Sequence, residues 1–131
     1  MLLHFGAVDF ETRVWLNGKE VGQHRGGYDG FTLDITPVLA LNGHNELVVS
    51  VWDPTDAGTQ PRGKQVRKPG GIWYTPTSGI WQTVWLEPIP ADNAIAEVRA
   101  TPDVDGGAVK ITGADNGLRR PTSHHSDGSK R

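Results

Sequence analysis

Short runs in which apolar and polar residues alternate with period two, cut by Gly, Pro, Asn and Asp, dominate the chain. Leu2 to Val8 is a short apolar run, and Thr12 to Leu16 sets Val14 and Leu16 on the face opposite Arg13 and Trp15, so both read as strands. Asn17-Gly18 follows at once. Both residues tolerate the positive φ of a type I′ turn, and the pattern predicts a hairpin with Lys19 to Gly22 as its returning strand. The stretch His24-Arg25-Gly26-Gly27-Tyr28-Asp29-Gly30 holds too much glycine for a regular element. Beyond it Phe31, Leu33 and Ile35 alternate with Thr32 and Asp34, as a half-buried strand does. Thr36-Pro37 opens a single helical turn through Leu39, with Thr36 as N-cap and Pro37 at the first position, and Asn42-Gly43 ends it. Asn45 to Asp53 is a long β-rich run, with Leu47, Val49 and Val51 on one face and Val48, Ser50 and Trp52 on the other.

From Pro54 to Ser78 the chain is polar and rich in Gly and Pro. A loop this long inside a compact domain normally has a function or a partner to pack on, which makes it the first place to look for a binding surface. Trp81 to Glu87 is the last strong strand of this part, Trp81, Thr83 and Trp85 alternating with Gln82, Val84 and Leu86, and Pro88-Ile89-Pro90 reads as a domain boundary. Ile95 to Ala100 and Ala108 to Ile111 then read as two strands opening a second β-module, separated by Asp105-Gly106-Gly107. Two strands do not bury a core of their own. The segment 117–131 has no hydrophobic residue after Leu118 and is expected to be disordered, either as an ordinary solvated tail or as the product of translation past a frameshift.

Composition narrows the classes of function. Seventeen Gly and nine Pro against one Met fit an all-β chain with many turns. The net charge is −2 and the basic residues form no stripe that would follow a phosphate backbone, so nucleic acid is not an expected partner. Nor is a membrane, because no run approaches the roughly 20 apolar residues of a spanning helix. The start of the chain resembles the middle of a strand rather than a signal peptide, and the compartment stays open. The absence of cysteine excludes disulfides and a thiolate nucleophile.

Chemistry-bearing patterns are few. Hydrolysis by paired carboxylates needs two acids held at a set separation on rigid elements, whereas Asp9, Asp29, Asp53 and Asp56 sit where turns are expected and read as turn-formers. His4, His24 and His44 are isolated, and His124-His125 are adjacent on what reads as an extended tail, so no metal-ligand spacing is present and neither a metal nor a cofactor is expected. Catalytic residues are therefore predicted to be none. Binding is the better prospect, since sugars are held by aromatic rings against their C–H faces and by amides, carboxylates and Arg at their hydroxyls. Lys64-Gln65 and Trp73-Tyr74 offer both kinds of group and are the candidate rim residues of a sugar site. For Trp73 and Tyr74 the favoured reading is a plug in a hydrophobic gap at a domain contact, with direct sugar contact as the alternative. Trp15, Trp52, Trp81 and Trp85 lie on expected strands and are read as core or interface residues.

In order along the chain stand Leu2-Leu3-His4-Phe5-Gly6-Ala7-Val8-Asp9, Val14-Trp15-Leu16-Asn17-Gly18-Lys19-Glu20-Val21-Gly22, and His24-Arg25-Gly26-Gly27-Tyr28-Asp29-Gly30-Phe31 leading to Asp34-Ile35-Thr36. Asn45-Glu46-Leu47-Val48-Val49, Lys64-Gln65, Gly71-Ile72-Trp73-Tyr74 and Ser78-Gly79-Ile80-Trp81-Gln82-Thr83-Val84-Trp85-Leu86 follow. Over about residues 2 to 90 this series resembles the N-terminal sugar-binding domain of family 2 glycoside hydrolases, the group of β-galactosidases, β-glucuronidases and β-mannosidases. The resemblance implies a galactose-binding-like jelly-roll β-sandwich over 1–90, incomplete at its N-terminus because other strands precede these in the family. It also implies the first strands of an immunoglobulin-like sandwich over 91–116.

The catalytic (β/α)₈ barrel of the family, with its two glutamates, is not in these residues. Some members place an acidic residue five positions before the small-Gly-Ile motif that Ser78-Gly79-Ile80 matches; here that position is Trp73, so an aromatic wall stands where the carboxylate contact would be. The resemblance thus implies a non-catalytic carbohydrate-binding and structural module of a β-galactosidase-like enzyme, meeting β-glycosides together with the barrel. Two alternatives stay beside it: a free-standing lectin-like module, and an inactive broken gene product with exposed strand edges.

Overall fold

A computed structural model of the chain describes residues 1–90 and 94–115. The chain divides into two compact units, Met1–Pro88 and a second from Ile89 onward. The expected disordered tail over 117–131 lies outside the described residues.

The first unit is built from eight strands: β1 (Leu2–Phe5), β2 (Val8–Asp9), β3 (Glu11–Leu16), β4 (Lys19–Arg25), β5 (Phe31–Asp34), β6 (Leu47–Trp52), β7 (Gly79–Ile80) and β8 (Val84–Glu87). All pairings are antiparallel, giving one sheet in the order β5-β1-β8, a second in the order β4-β3-β6, and a short β2-β7 ribbon. The strands expected from the period-two patterning, and the all-β sandwich that the resemblance implies, are thereby observed.

Alternation decides what lies between the two large sheets. On β1, Leu3 and Phe5 turn inward; on β3, Thr12, Val14 and Leu16 do the same, and with Val8 and Ile35 the apolar members form the buried core. Each such side chain contributes about 1.5–3 kcal/mol through removal from water. A stack of rings spans the layers: His24 of β4 lies on Phe31 of β5 at 4.4 Å, and Phe31 lies on Phe5 of β1 at 4.7 Å. Leu33 comes so close to Gly22 that a Cβ there would stand 2.5 Å from its Cδ2, so β4 lies over β5 and a larger residue at that crossing pushes the Leu33 tip aside.

The opposite side, where β6 and β8 are the edge strands, is open. Leu47, Val84 and Leu86 occupy inward positions opposite Leu16, Phe5 and Leu3, yet all are exposed, Leu86 by 57%.

The Asn17-Gly18 turn forms as predicted, with φ of 53° and 76°. The register slips between Val14 and Trp15, which leaves Val21 unpaired and packed on the core.

Several expectations need correction; the run Leu2 to Val8 is split between β1 and β2, and His24-Arg25 belongs to β4. Trp81 to Glu87 is not one strand: Gly79–Ile80 pairs with β2, Val84–Glu87 pairs with β1, and Trp81–Thr83 spans the step between them. The step mirrors Gly6-Ala7 on the facing chain, where Gly6 N–H donates to the Thr83 carbonyl at 2.8 Å and Ala7 O accepts from Trp81 at 3.3 Å. Nor does Thr36 cap the helical turn. The 3₁₀ turn over Thr36–Val38 has Ile35 at its N-cap, and Asp34 Oδ1 accepts the Thr36 N–H at 2.9 Å, so the acceptor comes from one residue further back.

The second unit contains a hairpin of β9 (Ile95–Asp103) and β10 (Ala108–Asp115), with Val98, Ala100, Val109 and Ile111 on one exposed apolar face.

Candidate functional site

The segment between β6 and β7 contains no long regular strand, yet it is held by its own hydrogen bonds. Asp53 Oδ1 accepts from Thr55 N–H at 2.7 Å, and Gln60 Nε2 donates to the Thr55 carbonyl at 2.6 Å. Further on, Gly71 turns at φ 59°, letting Trp73 N–H reach the Gly70 carbonyl at 3.1 Å and fold the chain back on itself. Tyr74 then donates to the Lys64 carbonyl at 2.9 Å and Val66 to the Tyr74 carbonyl at 3.2 Å. The four sequence-predicted residues are thus brought together: Lys64-Gln65 runs beside Trp73-Tyr74, with Lys64 Nζ 6.0 Å from the centre of the Tyr74 ring.

Of the four, Gln65 turns into a cleft. Gln65 Oε1 accepts from Thr77 N–H at 2.6 Å, and its side chain lines a cleft of about 390 Å³ with Asp9, Tyr28, Ser78 and Trp81. Lys64, Trp73 and Tyr74 stand outside that lining. Trp73 is 45% and Tyr74 63% exposed, so neither plugs a gap within this unit.

The cleft has an aromatic wall and a carboxylate floor. Trp81 is 52% exposed, but its indole N–H donates to the Gly27 carbonyl at 2.7 Å and its ring meets Tyr28 edge to face at 5.8 Å, which fixes the wall. Asp9 ends β2. Its Oδ1 is shut off from solvent without a hydrogen-bond partner among the described residues, although the residue as a whole is partly exposed. Gly27 packs against it, and a Cβ there would stand 2.6 Å from Oδ1. Asp53 lies nearby, accepting from Ser78 Oγ at 2.8 Å. Burial first, and then the charge of Asp53, push the Asp9 carboxyl above the ordinary aspartate range.

A carboxyl that titrates higher in the folded than in the unfolded chain favours folding in its protonated form. It costs stability above its folded pKa and nothing below its unfolded one. Asp9→Asn is therefore expected to raise the thermal midpoint at pH 7, with the gain shrinking as the pH falls through the Asp9 titration toward the ordinary aspartate value. Melting curves across that range check this, and a gain that grows in acid would refute it.

The sequence reading places Asp9 among the turn-formers and Trp81 in the core or an interface, and leaves Tyr28 in an irregular loop; the cleft brings all three together. The other tryptophans are also outside the buried core, Trp15 half-buried and Trp52 and Trp85 exposed. Among the described residues no group of three or more His, Cys, Asp or Glu could hold a metal ion, and no helix is long and apolar enough to cross a membrane.

Residues 1–90 match the family model of the glycosyl hydrolases family 2 sugar binding domain. A β-galactosidase of Thermoanaerobacter pseudethanolicus is 34% identical over 65% of this chain and 11% of its own length. A Formosa agariphila protein, provisionally named a β-glucuronidase, is 34% identical over 76% of this chain and 11% of its own. The chain thus spans about a tenth of the length of these curated relatives. Among solved structures, one from Bacteroides fragilis, provisionally described as a β-galactosidase, aligns with a TM-score of 0.50 at 28% identity, covering 64% of this chain and 11% of that one. The Faecalibacterium prausnitzii β-glucuronidase shares the fold, with a TM-score of 0.58 at 23% identity over 89% of this chain and 24% of that one. The chain belongs to family 2 of the glycosyl hydrolases, through the sugar binding domain that its residues 1–90 form.

Proposed function

We propose that the chain acts as a non-catalytic sugar-binding module of a β-glycosidase of the β-galactosidase or β-glucuronidase kind. In this role it places the Asp9 cleft and the 54–78 loop at the rim of a substrate pocket whose catalytic acids it does not supply. One observation carries the reading: a partly exposed carboxylate, Asp9, and a fixed aromatic wall, Trp81, line one cleft. A sugar hydroxyl donates to such a carboxylate while the sugar's C–H face covers the ring. The exposed Ile72, Trp73 and Tyr74 beside the cleft are then the surface that packs on a (β/α)₈ catalytic barrel.

The Asp9–Asp53 pair favours a second reading, because a carboxyl raised by burial beside a second acid is a property shared with glycosidase acid–nucleophile pairs. Asp53, however, is held by Thr55 and Ser78 as a structural acceptor. The purified chain is expected to hydrolyse no nitrophenyl β-galactoside or β-glucuronide above background. Saturable turnover abolished by Asp9→Asn would overturn the non-catalytic role. Titration calorimetry with the same sugars is expected to give binding no tighter than about millimolar, since only one flank of a substrate pocket is present. Tighter binding would point to a free-standing lectin instead.

A further inference from the structure

Phe10 follows Asp9 directly but lines a different groove. That groove measures about 610 Å³, is walled by Phe10, Arg25, Trp52, Pro54 and the 57–60 turn, and shares no lining residue with the Asp9 cleft. Register explains its chemistry. Trp52 of β6, Glu11 of β3 and Arg25 of β4 are cross-strand neighbours, so an exposed indole, a carboxylate and a guanidinium stand in one row across three strands on the outer face of the sheet. Trp52 is 56% exposed.

The polar end of the row is an exposed ion pair. Arg25 Nε meets Glu11 Oε1 at 2.9 Å, and the guanidinium carbon lies 5.3 Å from the centre of the Phe10 ring. The far wall is held in place. Ala57 N–H donates to the Pro54 carbonyl at 2.9 Å, and the Gln60 side chain is tied to the Thr55 carbonyl.

We infer that this groove is a second carbohydrate site, taking a neutral pyranoside ring with its C–H face on Trp52 and its hydroxyls toward Arg25, with Glu11 as the counter-charge of the guanidinium. Neutrality follows from charge: Glu11 already compensates Arg25, and an anionic sugar would be set beside the Glu11 carboxylate. The inference rests on the sugar-binding reading of the chain and adds a site to it, remote from the Asp9 cleft in its lining residues.

Indole N–H signals of the full chain, followed by ¹⁵N–¹H NMR during titration with methyl β-D-galactopyranoside and separately with methyl β-D-glucopyranosiduronate, separate the outcomes. The Trp52 signal is identified as the one missing from Trp52→Phe, and the Trp81 signal likewise from Trp81→Phe. The expected result is a saturable shift of the Trp52 signal with the galactoside, at least roughly tenfold weaker with the uronide, and weakened roughly tenfold by Arg25→Ala. Shifts confined to Trp81 would sink this site and leave the Asp9 cleft standing. Shifts of Trp52 without Trp81 would support it and count against the cleft. Equal or tighter response to the uronide would overturn the neutral-ring assignment, and no shift with either sugar would overturn both sites.

Discussion

Phe5→Ala is expected to destabilise the first unit by about 3–5 kcal/mol, the largest single loss available in its core. Phe5 is 1% exposed, lies opposite Phe31 and Val84, and forms the inner end of the His24–Phe31–Phe5 stack that ties β4 of one sheet to β1 of the other. Truncation removes its transfer free energy, leaves a void and strips Phe31 of its partner at once. Small domains hold only about 5–15 kcal/mol in total, so the variant is expected to sit near or beyond the edge of folding at ambient temperature. Urea denaturation followed by tryptophan fluorescence checks this, with Phe5→Leu as the milder comparison at roughly 1 kcal/mol. An Ala midpoint within about 1 kcal/mol of the parent, at unchanged slope, would contradict the role of the stack.

Asn17→Ala is expected to cost about 2–4 kcal/mol although the residue is exposed. Asn17 sits at φ 53°, where Ala is strained by about 1 kcal/mol or more. Its side chain also works as a clamp. Nδ2 donates to the Val38 carbonyl at 2.9 Å and to Asn45 Oδ1 at 2.8 Å, and Oδ1 accepts from Glu46 N–H at 2.9 Å. Asn45 in turn closes the 40–45 turn by bonding the Ala40 amide and carbonyl at 2.8 and 2.9 Å. Each lost bond is worth about 0.5–1.5 kcal/mol, less at the surface. Asn17→Gly keeps the turn conformation and loses the clamp, so it is expected to fall between Ala and the parent in thermal denaturation. Equal losses for Gly and Ala would show that the backbone conformation carries no part of the effect.

Asn17-Gly18 also shows what was legible in the sequence. A turn that demands positive φ at two successive positions accepts few residue pairs, so the hairpin could be read from two letters. Alternation was equally informative for Val14, Leu16, Val49 and Val51, which face the core as their spacing requires.

Alternation fails where a strand changes partner. The runs Leu2–Val8 and Trp81–Glu87 each look continuous, yet both break at the Gly6-Ala7 and Trp81–Thr83 step, because pairing passes there from one sheet to the β2-β7 ribbon. Gly6 marks the place: a Cβ on it would stand 2.7 Å from the Gln82 Cβ. Period two likewise tells which face a tryptophan occupies but not whether anything covers that face, which is why the tryptophans read as core or interface residues are exposed or, for Trp15, half-buried. The Asp9 cleft was hidden for another reason. It is assembled from residues 9, 28, 65, 78 and 81, far apart in the chain; Gln65 and the Ser78-Gly79-Ile80 motif are marked in the sequence, but Asp9 differs from a turn aspartate only in the neighbours that tertiary structure brings to it.

The open flank of the sandwich sets a requirement of its own. The edge strands β6 and β8 lie on the same side, with Leu47, Val84 and Leu86 between them, so one amphipathic β-ribbon added there would supply hydrogen-bond partners to both layers and a lid to the apolar channel. Two unpaired edges and an apolar channel on one side make that flank the surface where association that grows with concentration is expected, and a dilution series in sedimentation checks it.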